Sequence, residues 1–294
     1  MIYDINLKIT YAYDVPVSGG RHMVRVLPLS QPGRQRLVAG SVSCVPTPQE
    51  RHESTDFFRN AATSIVFRTA HDRLMIRMQA RVTVDPVPIT ADFSPKLADL
   101  APALATVWTL DPDSPHHFMG VSPRLPEVAT IAAYARTAVC DGMTVNEIAR
   151  ALCTRIHKDF TYDPKATTVD TTPAAAFKLK RGVCQDFAHV MIVALRSLGI
   201  PAGYVSGFLR TIPPPGKERL EGADAMHAWV RYWAGPITGW VELDPTNDIP
   251  AGTDHIVVGH GRDYADVAPV IGILKSYGGQ TTEQAVDVVP VLPA

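Results

Sequence analysis

Between residues 3 and 84 apolar side chains recur at every second position or in short β-branched runs: Ile5-Asn6-Leu7-Lys8-Ile9-Thr10-Tyr11, Val24-Arg25-Val26-Leu27, Leu37 to Val45, Ser64-Ile65-Val66-Phe67 and Leu74 to Val84. A period of two places alternate side chains on opposite faces of a strand. Turn-forming clusters at Val17-Ser18-Gly19-Gly20 and Ser30-Gln31-Pro32-Gly33 separate the runs. This spacing predicts an antiparallel β-sandwich-like domain over residues 1–95. Prolines then accumulate, in Asp85-Pro86-Val87-Pro88 and Asp111-Pro112-Asp113-Ser114-Pro115, and residues 96–126 read as a Pro-rich linker.

After the linker the period becomes helical. Glu127 to Val139 is one candidate helix, and Thr144-Val145-Asn146-Glu147 opens a second, with Thr144 as N-cap and Glu147 completing a capping box. That helix should run to about Phe160. Thr172 followed by Pro173 starts a third, which Arg181-Gly182 ends. In the stretch that follows, apolar residues at 187, 190, 191, 194, 195 and 198 form one helical face, closed by Gly199 and Pro201. The fold class expected is α+β, with residues 127–294 as the second domain.

Composition narrows the field. The chain has 294 residues, 46% hydrophobic and 19% charged, with a formal net charge of −1. It is an ordinary globular composition, with neither a nucleic-acid footprint nor a membrane-surface patch. Val190 to Leu195, the longest strongly apolar run, falls far short of the roughly 20 residues a spanning helix needs. Met1 to Lys8 reads as a first strand rather than a signal peptide, so a cytoplasmic location is the expectation. The four cysteines, Cys44, Cys140, Cys153 and Cys184, form no C-x-x-C pair and no metal-ligand spacing, so neither metal nor cofactor is expected.

Cys184 opens the last of these helices. In a first turn, unpaired backbone N–H groups and the positive end of the helix dipole favour thiolate over thiol, and the same N–H groups can receive an oxyanion. A nucleophilic cysteine needs a proton acceptor. His227 begins the alternating run His227-Ala228-Trp229-Val230-Arg231-Tyr232-Trp233, and Asp244 ends Gly239-Trp240-Val241-Glu242-Leu243-Asp244. If the Gly235-Pro236 region connects two antiparallel strands, His227 and Asp244 lie at one edge of the sheet, at the mouth of the cysteine helix. A base oriented by a carboxylate beside a thiol is the logic of nucleophilic catalysis, and Cys184, His227 and Asp244 are the candidate triad.

Three blocks carry a resemblance. Arg181-Gly182-Val183-Cys184-Gln185-Asp186-Phe187-Ala188-His189, Met226-His227-Ala228-Trp229-Val230 and Trp240-Val241-Glu242-Leu243-Asp244-Pro245-Thr246-Asn247 resemble, in that order, the signatures of bacterial transglutaminase-like proteins, also described as cysteine proteases. Phe160-Thr161-Tyr162 and Gly261-Arg262-Asp263-Tyr264-Ala265-Asp266-Val267 resemble its flanking blocks, and the β-rich segment before residue 95 resembles its associated N-terminal domain. The resemblance implies a papain-like core with the helix-borne cysteine packed on an antiparallel sheet. It implies that Cys184 attacks a carboxamide carbonyl of a peptide or protein, His227 shuttles the proton and Asp244 orients the imidazolium. Eukaryotic transglutaminases use calcium, but no EF-hand-like carboxylate run stands here, so calcium is not carried over.

Blander readings stand beside these. Cys184 could be a small buried residue, His227 a satisfied strand histidine and Asp244 the start of an Asp-Pro turn; their joint occurrence favours chemistry. His189 lies about 140° around the helix from Cys184 and is left out of the triad. Cys44, Cys140 and Cys153 read as inert thiols, and His116-His117 as solvated loop. Trp229 and Trp240 are either core or an acyl-substrate groove, and Arg262-Asp263-Tyr264 either a buttress or part of the cleft. Tyr162 is the candidate second oxyanion donor. For the reaction, hydrolysis of the Cys184 thioester (peptidase or amidase) is favoured over transfer to an amine, and a non-catalytic binding module is the third reading. Homo-oligomerisation is left open.

Overall fold

The computed structural model describes residues 1–87, 91–211, 222 and 224–291; Pro88 of the first proline run lies outside them. The fold is α+β. Five strands come first: β1 (Ile2–Val24), β2 (Gln35–Val45), β3 (Glu50–Thr55), β4 (Ala61–Phe67) and β5 (His71–Val84). Then follow α1 (Leu97–Leu104), a 3-10 turn (Pro115–Phe118), α2 (Ala129–Arg136), α3 (Val145–Asp159), β6 (Thr161–Tyr162), α4 (Pro173–Leu179), β7 (Arg181–Gly182) and α5 (Cys184–Ser197). The chain continues through β8 (Ala202–Leu209), β9 (Ala225–Trp233), α6 (Gly235–Thr238), β10 (Trp240–Asp244), β11 (Ile249–Pro250), β12 (His255–Gly261), α7 (Tyr264–Val267), β13 (Val270–Lys275) and β14 (Gln280–Pro290).

The N-terminal region is a curled antiparallel sheet organised by β1. Alternation in β1 buries Tyr3, Ile5, Leu7 and Ile9 on one face. Its first half pairs with β5 and β14, its second half with β4 and β13. The Val17–Gly20 cluster, expected as a turn, lies inside this one strand. Register shifts there, between Ala12 and Val17 against β5 and between Ser18 and Arg21 against β13. Gly19 takes a φ of +63°, a conformation glycine enters without a Cβ penalty. A bulge bends a strand and raises its twist, which lets β1 serve both halves of the sheet. Strands β13 and β14 bring residues 270–290 back to β1, so the sheet draws on both ends of the chain.

Helical elements fall where the period placed them, with ends set by caps. α3 has the expected capping box: Glu147 N–H donates to Thr144 Oγ1 at 3.2 Å and Thr144 N–H to Glu147 Oε2 at 2.8 Å. α2, which no side chain caps at Val128, is confined to Ala129–Arg136, shorter at both ends than its pattern. α4 stops at Lys180, which turns left-handed at φ 53° ahead of Gly182. The segment 96–126, read as linker, contains α1 and the 3-10 turn, and Leu100, Leu104 and Phe118 in it are buried.

The second sheet runs β11-β10-β9-β8-β12, antiparallel throughout. α5 packs on it. Phe187, Val190, Met191, Ala194 and Leu195 are buried against β8 and β9, each large side chain contributing about 1.5–3 kcal/mol relative to exposure.

The edge strand β12 is closed by amide side chains from the N-terminal region. Gln35 donates to Val257 O at 2.7 Å and accepts from Val257 N–H at 2.9 Å; Asn60 donates to His260 O at 2.8 Å and accepts from His260 N–H at 2.8 Å. Each amide imitates a strand partner and satisfies an otherwise open edge. Gly259 permits this approach, since a Cβ there would lie 2.8 Å from Asn60 Oδ1. Phe208, Ile256 and Val258 join the hydrophobic core of the first sheet, so the two sheets share buried surface.

Candidate active site

α5 starts at Cys184 because Val183 before it is extended (φ −109°, ψ 178°) and Asp186 closes the first turn. Val183 N–H donates to Asp186 Oδ2 at 2.8 Å, Thr167 Oγ1 donates to the same oxygen at 2.7 Å, and Asp186 N–H donates to Val183 O at 2.8 Å. Burial pushes the Asp186 carboxyl up, against the pull of these two donors. Gly182 leaves room for it, since a Cβ there would collide with the Asp186 carboxylate. The N–H groups of Cys184 and Gln185 stand in the first turn, where helix geometry supplies no intrahelical acceptor. Gln185 Nε2 donates to Val169 O at 3.0 Å, tying the 163–171 loop to this end of the helix.

Short parallel pairing of β6 with β7 sets Tyr162 opposite Gly182, two residues from Cys184. Tyr162 is 56% exposed, and its phenol is pushed up by burial and by the neighbouring Cys184 sulfur.

β9 and β10 form the antiparallel pair the sequence suggested, joined by α6, with Trp233 opposite Trp240 and Arg231 opposite Glu242. The register brings His227 and Asp244 together: His227 Nε2 lies 2.8 Å from Asp244 Oδ2, and Cys184 is close enough to act on the His227 ring electrostatically. With Nε2 on the carboxylate, Nδ1 is the ring nitrogen left for the thiol. Burial alone would lower the His227 pKa, but Asp244 and Cys184 outweigh it and hold it above the ordinary histidine value. Asp244 is fully buried. Burial alone would raise its pKa, yet hydrogen bonds from His227, His255 and Asn247 hold it well below the usual carboxylate range. Its Oδ1 accepts the N–H groups of Thr246 (2.9 Å) and Asn247 (3.2 Å), and its Oδ2 accepts Asn247 Nδ2 at 2.6 Å. The Asp-Pro turn and the side-chain bond therefore coexist.

His255, not singled out in the sequence, is the fourth member, its Nε2 3.3 Å from Asp244 Oδ2. Its only sequence signal was a histidine opening an apolar strand. His227, Asp244 and His255 offer ligand atoms within 4.8 Å of one another. Gly252 N–H donates to His255 Nδ1 at 3.2 Å, which puts the neutral ring's proton on Nε2, facing the carboxylate. The donor set is thus arranged as a hydrogen-bond network, and a cation there would have to displace protons from both rings.

The other candidates resolve into packing. Trp229 is buried with its Nε1 2.5 Å from Glu242 Oε2, and Trp240 donates to Asp113 O at 2.9 Å while packing on Phe118. Arg262 pairs with Asp266 at 2.8 Å; Asp263 is buried and accepts N–H groups of Arg124 and Ala265, each at 2.8 Å. His189 is buried, accepts Tyr264 N–H at 3.3 Å, and is pulled down by burial to about 3. His116 and His117 bond the carbonyls of Val107 and Leu110. Burial pushes the Cys153 thiol up to about 12 and the Cys44 thiol up from its ordinary value; Cys140 is exposed. No helix among the described residues is long and apolar enough to cross a membrane.

With this geometry in view, comparisons with known proteins are consistent from end to end. Residues 132–245 match the transglutaminase-like superfamily and residues 3–83 the bacterial transglutaminase-like N-terminal region. An uncharacterised Mycobacterium bovis protein is 38% identical over 277 residues, covering 87% of this chain and 83% of its own. One from Mycobacterium leprae is 30% identical over 292 residues, covering 95% of each. Protein-glutamine gamma-glutamyltransferase of Pseudomonas aeruginosa is 34% identical over 118 residues, 37% of this chain and 18% of its own. The crystal structure of a "putative cysteine protease" from Cytophaga hutchinsonii superposes with a TM-score of 0.70 at 19% identity, covering 100% of this chain and 92% of the other, a likeness of fold. The chain belongs to the transglutaminase-like superfamily, which includes cysteine-dependent acyl-transfer enzymes. Its N-terminal region is of the bacterial transglutaminase-like type.

Proposed function

We propose that the protein is a cysteine-nucleophile acyl-transfer enzyme acting on a peptide or protein carboxamide, and that hydrolysis is its reaction. The observation that carries this reading is the hydrogen bond between His227 Nε2 and the buried Asp244 carboxylate, 2.8 Å long, with the cysteine that opens α5 acting on the same imidazole. In the reaction, the Cys184 thiolate adds to the carbonyl carbon. The oxyanion is received by first-turn N–H groups and by the Tyr162 hydroxyl. The His227 imidazolium gives its Nδ1 proton to the leaving amine as the C–N bond breaks and a thioester forms. The now neutral His227 takes a proton from water as the hydroxide adds, and the collapsing intermediate releases a carboxylic acid and the Cys184 thiolate, restoring the thiolate–imidazolium pair. Asp244 stabilises the imidazolium in each half. Hydrolysis is favoured because Tyr162, beside the sulfur, is 56% exposed, leaving the thioester open to water. Transfer to an amine is the second reading, favoured by the name of the Pseudomonas aeruginosa relative.

Iodoacetamide labelling near neutral pH tests the nucleophile. Cys184 should label faster than exposed Cys140, and His227→Ala should remove the difference; equal rates in the wild type would sink the enzyme reading. Mass spectrometry of a peptide library, with and without added amine, then separates the two reactions. Dominant amine adducts would replace hydrolysis with transfer.

A further inference from the structure

The Asp244 carboxylate is shared. Its Oδ2 faces three donors: Asn247 Nδ2 at 2.6 Å, His227 Nε2 at 2.8 Å and His255 Nε2 at 3.3 Å. His255 is built to be such a donor and little else. Its Nδ1 is occupied by the Gly252 N–H, which can only donate, so the neutral ring presents Nε2–H to Asp244. The ring is buried and stands edge-on to Trp229, with centroids 5.1 Å apart at 78°. Trp229 is itself pinned by Glu242 and lies against the His227 ring at 6.1 Å. The charged or titratable groups facing His255 are Asp244 from β10 and His227 from β9, the latter 6.3 Å away between ring centroids.

We infer that His255 is a positioning residue: a second, non-reacting donor that holds Asp244 Oδ2 in the plane where His227 is aimed at Cys184. This rests on the acyl-transfer reading above. A buried carboxylate whose donors are incomplete turns to find others or admits water, and either change moves the one hydrogen bond that orients the base. His255 gives Oδ2 a further donor beside His227 and Asn247, so the carboxylate has less cause to turn in search of one. No proton moves through His255 in the reaction, since its remaining nitrogen is closed by backbone.

Two substitutions separate positioning from packing. His255→Gln keeps a donor at about the reach of Nε2; His255→Phe keeps bulk and removes it. The measurement is the rate of Cys184 alkylation by iodoacetamide across pH, on the full chain, with the exposed Cys140 as internal reference. The Phe variant should label Cys184 at least fivefold more slowly than wild type at pH 7, with half-maximal labelling moved to higher pH, on the order of the effect of losing an outer-shell partner. The Gln variant should restore most of the rate. A folded Phe variant with wild-type rate and pH profile would overturn the inference, as would a Gln variant as slow as Phe. If wild-type Cys184 labels no faster than Cys140, it is the acyl-transfer reading that fails instead. Should the Phe variant not fold, nitrogen-15 NMR of the wild type decides: an Nε2–H tautomer for His255 supports the inference, and an Nδ1–H tautomer overturns it.

Discussion

Glu242 and Asp244 stand two residues apart on β10, on the same face of the sheet, and each reaches its own diagonal neighbour on β9 in the same direction. Trp229 Nε1 lies 2.5 Å from Glu242 and His227 Nε2 lies 2.8 Å from Asp244. Each also meets a histidine of β12, His260 at 3.5 Å and His255 at 3.3 Å. Against burial, both carboxyls are held well below their usual range, Glu242 first by Arg34 and Asp244 first by His227. Yet the two ends of this repeated arrangement differ. Glu242 holds an indole that does not titrate, and an ion pair with Arg34 of the N-terminal region closes its other side at 2.7 Å. Asp244 holds an imidazole whose second nitrogen faces a thiol. The sheet supplies one device twice; what the partner side chain can do decides whether it braces a junction or prepares a reaction.

That contrast can be broken most sharply at the reactive end. Cys184→Ser or His227→Ala should lower kcat on the order of 10⁵-fold, and Asp244→Asn about 10⁴-fold, with circular dichroism unchanged. Product formation followed by mass spectrometry checks this, and a comparable loss in a folded Glu242→Gln variant would erase the distinction. Glu242→Gln should instead cost about 3 kcal/mol of stability, since it leaves Arg34 without its counter-charge. Urea denaturation measures that, and Cys184 labelling in the folded variant should stay at the wild-type rate. Tyr162→Phe should lower kcat by about 10² with KM little changed, the cost of one oxyanion donor.

Acid should act on both ends together. Because the folded-state pKa values of Glu242 and Asp244 are depressed, their contribution to stability is present above the ordinary carboxylate range and is lost as pH falls below about 4. The unfolding free energy, read from urea denaturation at each pH, should decline there with a slope of about 1.4 kcal/mol per pH unit for each group. Glu242→Gln should make that slope shallower, and an unchanged slope would remove Glu242 from the account. Smallest, Thr144→Ala should cost about 1 kcal/mol through the lost cap of α3 and leave Cys184 labelling untouched, a control outside both networks.

Local chemistry was legible in the sequence, and long-range closure was not. The Thr144 capping box, the Cys184 helix start and the strand pair bearing His227 and Asp244 are short-range patterns, and the structure places all of them as expected. Val17–Gly20 reads as a turn because its composition is that of one; pairing with β4, β5 and β13 keeps it within a strand. Likewise nothing near Gln35 or Asn60 announces that their amides complete β12, some 200 positions away in sequence. His255 escaped for the same reason. Its partner is 11 residues distant and its tautomer is set by a backbone N–H, neither of which a periodicity records.

The weave of β1 bears on how the protein is made. Synthesis delivers β1 first and its partners β4 and β5 soon after, but one side of β1 waits for β13 and β14. At ribosomal rates the interval between Val84 and Pro290 lasts roughly 10–40 s. Through that time the nascent chain carries an unpaired strand edge beside a half-built apolar face, the arrangement that recruits other strands. Until residues 280–290 emerge that edge stays open to wrong pairing, and crowding of nascent chains raises the chance of it.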